Sequence, residues 1–358
     1  LAFLQPDVTA LTAVRPMTHF GGLQVEFPSL VASGGALPYT NEADYRAALG
    51  IIRTIPKVFD NAIGRFREGQ ASGVVDSRLT VTNMIAQLDA ILAQPIDESP
   101  FTSPIREFPA AVPPAARPQI VEAYRTVVRD SIYPAYRKLR TYLHVEYLPD
   151  AREQVGISAM KGGAGLYRRL VQSHTTLPLQ PEAVHQLGLT EVARIQRDME
   201  GVKTELGYSG SLRSFFDEIR KNPRYHPRTR DELGNGFAEI AKTVDALIPT
   251  YFTKVPRTKL VIEPYPAYRE KYEAGGSYNQ GSVDGTRPGV FFYNTYDLPS
   301  RFLTGMATLY LHEGIPGHHF QISLALENTT LPDFQRFGGN TAYVEGWALY
   351  AETLGYEM

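Results

Sequence analysis

The stretch YLHEGIPGHHFQ, residues 310–321, contains three of the chain's eight histidines and a glutamate directly after the first of them. A zinc hydrolase site needs three protein ligands, an open fourth position and a carboxylate that can take a proton from water. The usual arrangement is HExxH on a helix, because residues four apart share one face. Here the second histidine follows His312 by six or seven positions. A regular helix would turn His318 about 120° away from His312, and it would place His319 roughly 10 Å further along the axis.

Pro316 and Gly317 interrupt any such helix. Pro316 has no N–H to donate to the carbonyl of His312, and Gly317 tolerates unusual backbone angles. We therefore expect a bulge that extrudes the extra residues and returns His318 to the face of His312. Interruptions of this kind are typical of functional sites.

The composition limits the partners and the cofactors. Of 358 residues, 43% are apolar and 21% are charged, as in a globular protein with a substantial core. The net charge is −2, and no basic stripe indicates a nucleic-acid partner. Because the chain has no cysteine, His, Asp and Glu are the strong metal ligands. No apolar run approaches the roughly 20 residues of a membrane span, and a periplasmic or secreted location is favoured over a cytoplasmic one.

Apolar periodicity predicts a mainly helical fold. Helices are predicted over residues 41–94 and, with a kink at Pro134, over residues 120–147. The seven prolines of residues 95–118 predict an extended connector. Another helix should begin at Pro181. Its apolar stripe consists of Val192, Ile195, Met199, Val202 and Leu206.

Two regions follow from this pattern. Residues 1–118 form an N-terminal helical region with the proline-rich connector, and residues 119–358 form the helical body that carries the metal site. We expect the two to be one continuous domain. Strand patterns at 258–264 and 290–295 predict a small antiparallel sheet just ahead of the histidines, with the glycine-rich loop 273–289 between them.

HEGIPGHHFQ, followed by AYVEGWALYAE at residues 342–352, resembles the signature pair of a large bacterial family catalogued as a domain of unknown function. That family is grouped with the gluzincin metallopeptidases, alongside thimet oligopeptidase, angiotensin-converting enzyme and carboxypeptidase Taq. The likeness extends upstream through DGTRPGVFFYNT and covers about the last two thirds of the chain. It implies a large helical metallopeptidase fold, with His312, His318 and Glu345 as zinc ligands and Glu313 as the general base. Family members usually continue further, so we expect the C-terminal part of the family fold to be missing here.

The residues around Glu345 support its assignment independently. Glu345 lies in a helical pattern among apolar residues such as Tyr343 and Trp347, where a carboxylate without a partner would be disfavoured. Glu352 follows on the same face two turns later, which suits a hydrogen bond to a ligand imidazole. For His319 we expect a supporting or packing role, with metal ligation in reserve.

Substrate contacts are expected from the strand and the loop that precede the histidines. A peptidase of this class commonly lays its substrate along a sheet edge, which would bring Tyr293 and Asn294 of the strand VFFYNT close to the cleft. Arg287 and Tyr278, in the glycine-rich loop, are candidates for binding a substrate carboxylate or an oxyanion.

The leading hypothesis is a zinc-dependent metallopeptidase that hydrolyses short peptides, as a carboxypeptidase or dipeptidase would. One alternative is a non-catalytic metal-binding or peptide-binding protein on the same scaffold. Another is a metal hydrolase that acts on a different amide or ester. The sequence contains no GxSxG, P-loop or GxGxxG motif, so it gives no support to serine catalysis or nucleotide binding.

Overall fold

The chain folds into two compact units. A computed structural model describes residues 6–267 and 270–358. The first unit is Leu1–Ser173 and the second is His174–Met358. Both are built mainly from helices, which confirms the predicted fold class. None of the helices in the described part of the chain is long and apolar enough to cross a membrane.

The first unit packs its helices around a core rich in tyrosine. Tyr124 and Tyr136 are fully buried, and each donates its hydroxyl to a backbone carbonyl, of Tyr45 and Gln24 respectively. A buried hydroxyl needs such a partner, so these tyrosines have a packing role. The helices are α1 (Pro6–Ala13), α2 (Leu23–Val31), α3 (Glu42–Ile52), α4 (Ile55–Ser72), α5 (Arg78–Leu92), α6 (Arg117–Val127), α7 (Tyr133–Tyr142) and α8 (Gly163–Thr175), whose last residues pass into the second unit.

Two details of the first unit differ from the sequence-based expectation. The proline-rich connector is not simply extended, because it forms short 3-10 turns at Ile96–Glu98 and Pro100–Ile105. Where we predicted a kink at Pro134, a π-helical turn, Val128–Ile132, leads from α6 directly into α7. Pro134 lies in the first turn of α7, where a proline is tolerated. Helices α6 and α7 share their core with α3, α4 and α5. The segment after residue 118 that we assigned to the metal-site region therefore belongs, as far as Ser173, to the first unit.

The second unit contains seven complete α-helices and three strands among its described residues, besides short 3-10 turns. The predicted helix at Pro181 is present, but none of its residues is buried, so its apolar stripe is not part of the core. The elements are α9 (Pro181–Glu205), α10 (Leu212–Lys221), α11 (Arg230–Tyr251), β1 (Leu260–Pro264), β2 (Gly276–Asn279), β3 (Gly289–Tyr293), α12 (Met306–Glu313), α13 (His318–Glu327), α14 (Asp333–Arg336) and α15 (Thr341–Glu357).

The sheet is mixed, with the order β1-β3-β2. Strand β1 pairs with β3 in parallel, and β2 pairs with β3 in the antiparallel direction. The predicted antiparallel sheet is therefore only half right. The difference arises because the second predicted strand, VFFYNT, forms the central strand β3, while its antiparallel partner β2 comes from the loop region.

The sheet supports the helix that carries the histidine motif. Phe291 of β3 is fully buried against Phe237 of α11 and Tyr310 of α12. Tyr310 and Leu311 belong to the same core, so the last turn of α12 is held between the sheet and the helices. Burying side chains of this size stabilises the unit by about 1.5–3 kcal/mol each. The end of α12, where His312 and Glu313 lie, is consequently well fixed.

Candidate metal centre

The histidine motif spans two helices that meet at a break. Helix α12 ends at Glu313, and α13 begins at His318. We expected a bulge within one helix; the structure has a full interruption, with a cis peptide bond between Ile315 and Pro316. A full break follows from the backbone at Gly314 and Gly317, whose ψ angles of −115° and −130° do not fit a helix. The break still brings His318 back beside His312, with their ring centroids 4.7 Å apart.

The third predicted ligand comes from α15, which packs against both α12 and α13. Its start is fixed by Asn340, whose side chain accepts a hydrogen bond from the N–H of Tyr343. Further along, the indole N–H of Trp347 donates to the carbonyl of Pro316 at 2.7 Å. Trp347 therefore ties the helix that carries Glu345 directly to the segment between the two histidines.

The geometry of the three side chains suits a metal ion. Glu345 Oε2 lies 3.4 Å from His312 Nε2 and 3.7 Å from His318 Nε2. One ligand atom from each residue lies within 4.8 Å of the others. Ligand atoms about 2.1 Å from a tetrahedral ion are about 3.4 Å from each other. The three side chains are therefore spaced as zinc ligands would be, and two imidazoles with one carboxylate are a donor set that zinc accepts.

His312 is oriented by a second carboxylate. Its Nδ1 donates to Glu352 Oε1 at 2.7 Å, which leaves the lone pair on Nε2 directed toward Glu345. A carboxylate behind the imidazole fixes the tautomer and makes the ligand more basic. Glu352 thus occupies the position that the sequence predicted for it.

His318 is held in its neutral form by its surroundings. Burial and the nearby His312 lower the pKa of His318, while the charge of Glu345 acts in the opposite direction. A neutral imidazole is the form that binds a metal. Its buried Nδ1 has no hydrogen-bond partner within the residues that the structure describes, so His318 lacks the support that Glu352 gives to His312.

Glu345 is more exposed than the sequence suggested. Its side chain is 52% exposed, and Tyr343 is also largely exposed. The argument that apolar neighbours deprive Glu345 of solvent is therefore wrong, because Tyr343 is exposed beside it, while Trp347 packs toward the helix break and does not cover it. Its assignment rests instead on its distances to the two imidazoles.

Glu313 lies at the end of α12 and is buried. Burial raises the pKa of its carboxyl group, and the charge of Glu345 adds to this effect. His312 and a hydrogen bond from the backbone N–H of Tyr278 lower it again in part. Glu313 is therefore a stronger base than an ordinary glutamate, within electrostatic reach of two of the three candidate ligands.

Both ring nitrogens of His319 face other protein groups and not the candidate metal site. Its Nε2 lies 3.1 Å from the carbonyl oxygen of Thr258, which can only accept, so Nε2 carries the proton. Its Nδ1 then accepts a hydrogen bond from the Tyr278 hydroxyl at 3.2 Å. Burial lowers the pKa of His319 to about 4, in agreement with a neutral ring. Both ring nitrogens thus have protein partners, and neither belongs to the group of converging ligand atoms.

The other predicted substrate residues have contacts within the fold. Tyr293 is buried against Phe237, and the side-chain amide of Asn294 donates to the carbonyls of the loop before β2. Both belong to or directly follow the central strand, which explains why they pack inward. Arg287 is exposed and donates to the carbonyl of Gln280. The structure brings Tyr278 next to Glu313 through its backbone, whereas its hydroxyl faces His319.

Comparison with known proteins agrees with this fold. Residues 5–358 match the family described as "Bacterial protein of unknown function (DUF885)". The chain belongs to the DUF885 family. Its fold is similar to that of a candidate lipoprotein from Colwellia psychrerythraea, with a TM-score of 0.90 and 26% sequence identity. The match covers 96% of this chain and 60% of that protein, so this chain spans less than two thirds of its relative. No protein with a curated description matches the chain.

Two residues of this DUF885 chain that the sequence did not single out contribute to the site. Trp347 bridges α15 to the helix break, and Gly289 leaves room for the Tyr278–His319 pair. The single tryptophan of the chain, two residues after a predicted ligand, was a usable signal for the first. No local pattern marks Gly289, because its neighbours come from distant parts of the sequence.

Replacing Glu352 with glutamine is expected to weaken zinc binding by this DUF885 protein by about 10–100-fold. The amide orients His312 less firmly and does not make the imidazole more basic. Zinc affinity measured by competition with a chromophoric chelator tests this. Glu357→Gln, at the exposed end of the same helix, is the matched control and should leave the affinity unchanged. Equal affinities for wild type and Glu352→Gln would contradict the supporting role.

Replacing Gly317 with alanine is expected to destabilise the second unit. An added Cβ would lie 2.0 Å from the carbonyl oxygen of His312 and 2.2 Å from that of Leu311. Because both atoms are backbone, α12 and α13 must move apart, at a cost of about 1–3 kcal/mol. Urea unfolding measures this loss. Gly201→Ala in α9, where an added Cβ meets nothing within 4 Å, should not destabilise the protein, and equal midpoints for the two variants would refute the prediction.

Proposed function

We propose that this chain contains the centre of a zinc-dependent peptidase of the gluzincin type. The observation that carries this proposal is the convergence of His312, His318 and Glu345 within 4.8 Å, with the buried Glu313 directly after the first ligand. Three protein ligands leave a fourth position for a substrate or a water molecule. Zinc in such a centre supplies Lewis-acid chemistry, which polarises a scissile carbonyl and makes a water molecule more acidic.

Glu313 is the proposed general base. It takes a proton from the attacking water and passes that proton to the leaving amine. Two features of its environment support this role. Burial raises the pKa of its carboxyl group, which makes it a better base near neutral pH, and the backbone N–H of Tyr278 acts on the same group and favours its carboxylate form. The neighbouring His312 lowers the pKa of Glu313, whereas the charge of the proposed ligand Glu345 raises it.

A peptide substrate is proposed to lie along β2. Because β3 is central, its backbone groups are taken up by β1 and β2 on either side. Strand β2 is the edge strand next to α12, so an extended peptide that pairs with the sheet beside Glu313 would use the outward backbone groups of this strand other than the Tyr278 N–H. The preference for short peptides, as in a carboxypeptidase or dipeptidase, rests on the resemblance to gluzincins. Arg287, on the exposed loop that follows β2, remains a candidate for binding the substrate carboxylate.

The cellular location is part of the proposal. The similar protein from Colwellia psychrerythraea is described as a candidate lipoprotein, which supports an extracytoplasmic location for this chain as well.

Metal analysis combined with a peptide-library cleavage assay tests the proposal. We expect about one zinc ion per chain and cleavage of short peptides at defined bonds. Zinc binding without cleavage would support a non-catalytic metal-binding protein instead. Cleavage of other amides or esters but not of peptides would redefine the substrate. If the purified protein neither contains zinc nor takes it up, the metal-centre proposal is wrong.

A further inference from the structure

The outer edge of β2 carries the backbone group that contacts the proposed base. The N–H of Asn294 donates to the carbonyl of Gly275, so residues 275 and 294 form a hydrogen-bonded antiparallel pair. Such pairs alternate along an antiparallel ladder. Ser277 and Asn279 therefore direct their N–H groups toward β3, whereas Tyr278 directs its N–H away from the sheet. Strand β2 packs against α12, and this outward N–H is the backbone group that acts on the Glu313 carboxyl group at the end of that helix, lowering its pKa.

The side chain of Tyr278 is held from the other direction by α13. Its hydroxyl lies 3.2 Å from His319 Nδ1 and 3.5 Å from Ser323 Oγ, and the two rings meet edge-on with centroids 5.5 Å apart. Because His319 donates its Nε2 proton to Thr258, its Nδ1 is an acceptor aimed at the Tyr278 hydroxyl. His319 thus joins α13 to the segment before β1 and to the edge strand β2.

Strand β3 has a glycine, Gly289, at the point where the Tyr278–His319 pair packs against it. A Cβ added at Gly289 would lie 2.6 Å from the hydroxyl of Tyr278 and 2.7 Å from His319 Nδ1. Real Cβ atoms do not approach other atoms so closely, so any larger residue at position 289 would force the pair apart. The glycine is therefore required by the contact between Tyr278 and His319, and not by an unusual backbone angle.

We propose that His319, although it follows a proposed metal ligand directly, is a positioning residue: through the Tyr278 side chain it holds β2 so that the Tyr278 N–H stays against Glu313. The base is then fixed by two independent elements, its own helix α12 and the edge strand. This inference rests on the proposed function for its catalytic meaning. The structural part concerns only how β2 is held, and it can be measured in the metal-free protein.

Amide hydrogen exchange at single-residue resolution, in the metal-free protein, tests the structural part. We expect Gly289→Ala to speed exchange of the Tyr278 amide at least about tenfold, because the displaced ring carries the strand with it. Tyr278→Phe, which removes only the hydroxyl, should give a smaller increase in the same direction. Gly188→Ala and Tyr296→Phe, at sites outside this contact, are the matched controls. Unchanged Tyr278 exchange in both Gly289→Ala and Tyr278→Phe overturns the proposal.

A second pair of measurements identifies the partner of the Tyr278 amide. Glu313→Ala should speed its exchange while leaving that of Ser277, which faces β3, unchanged; equal changes at both amides would overturn the proposal. Combining Gly289→Ala with Tyr278→Phe should give less than the sum of the two effects, because the hydroxyl in the clash is gone. If Gly289→Ala does not fold, Tyr278→Phe and Glu313→Ala still decide the question.

Catalysis provides the readout that a purely structural role would not change. In the zinc-loaded protein, we expect Tyr278→Phe to lower kcat several-fold while zinc affinity stays at the wild-type value. Loss of zinc binding in this variant would place the contact in metal binding and overturn the positioning role. If the wild-type protein neither binds zinc nor cleaves peptides, the proposed function fails, while the exchange data still report whether His319 holds β2.

Discussion

Glu313→Gln is expected to reduce peptide hydrolysis by roughly 10²–10⁴-fold while leaving zinc bound. Glutamine has nearly the same shape and can still accept a hydrogen bond from the Tyr278 N–H through its amide oxygen. It cannot accept a proton from water, so the loss isolates the role of the base. The measurement is kcat on a cleaved peptide, together with zinc content for each variant.

Glu239→Gln on the exposed face of α11 is the matched control, and it should retain full activity. A Glu313→Gln variant that cleaves peptides at the wild-type rate would refute the assignment of the base. A variant that loses zinc together with activity would show that Glu313 holds the metal site together, contrary to its proposed role.

Substitution of the two adjacent histidines distinguishes the proposed metal ligand, His318, from its neighbour, His319. His318→Ala should weaken zinc binding by more than about 100-fold, which exceeds the effect expected from a residue that only supports a ligand. His319→Ala should leave zinc affinity close to that of the wild type, since both of its ring nitrogens are engaged by Thr258 and Tyr278. Glu345→Gln should resemble His318→Ala.

Competition with a chelator, monitored in the same buffer for each variant, gives the relative affinities. Thermal unfolding with and without zinc is the second measurement. Zinc should raise the unfolding temperature of the wild type and of His319→Ala, but not that of His318→Ala, because a ligand that binds only the folded state stabilises it. Strong zinc binding by His318→Ala with loss in His319→Ala would reverse the assignment.

Sequence motifs and the family resemblance predicted which side chains meet better than they predicted the path of the backbone. His312, His318, Glu345 and Glu352 come together as the motifs and the resemblance implied, because each pair lies on one helix or on two helices joined by a short segment. The presence of Pro316 and Gly317 predicts an interruption, but it does not predict whether the helix bulges or ends. That outcome depends on how Gly317 passes the carbonyls at the end of α12, which only the packed helices determine.

Pairing between distant segments was the part that the sequence could not supply. The central position of β3 depends on a parallel partner from β1 and an antiparallel partner from β2, and alternation within a strand does not encode either choice. Tyr293 and Asn294 were assigned to substrate binding for this reason, although both pack inward. The exposure of Glu345 was missed in a similar way, because the apolar residues next to it in sequence do not cover it: Tyr343 is exposed, and Trp347 packs toward the helix break.

Helix α9 has no buried residue, and this affects its stability. Its 25 residues include Val192, Ile195, Met199 and Val202, whose side chains stay 40–52% exposed, and Leu206 directly after the helix is 69% exposed. A stripe of this kind gains nothing from burial where it stands, so the helix depends on its intrinsic propensity and on its contact with α10. We would look for the earliest proteolytic nicks and the strongest binding of apolar dyes along this helix, while the rigid elements around α12 stay intact.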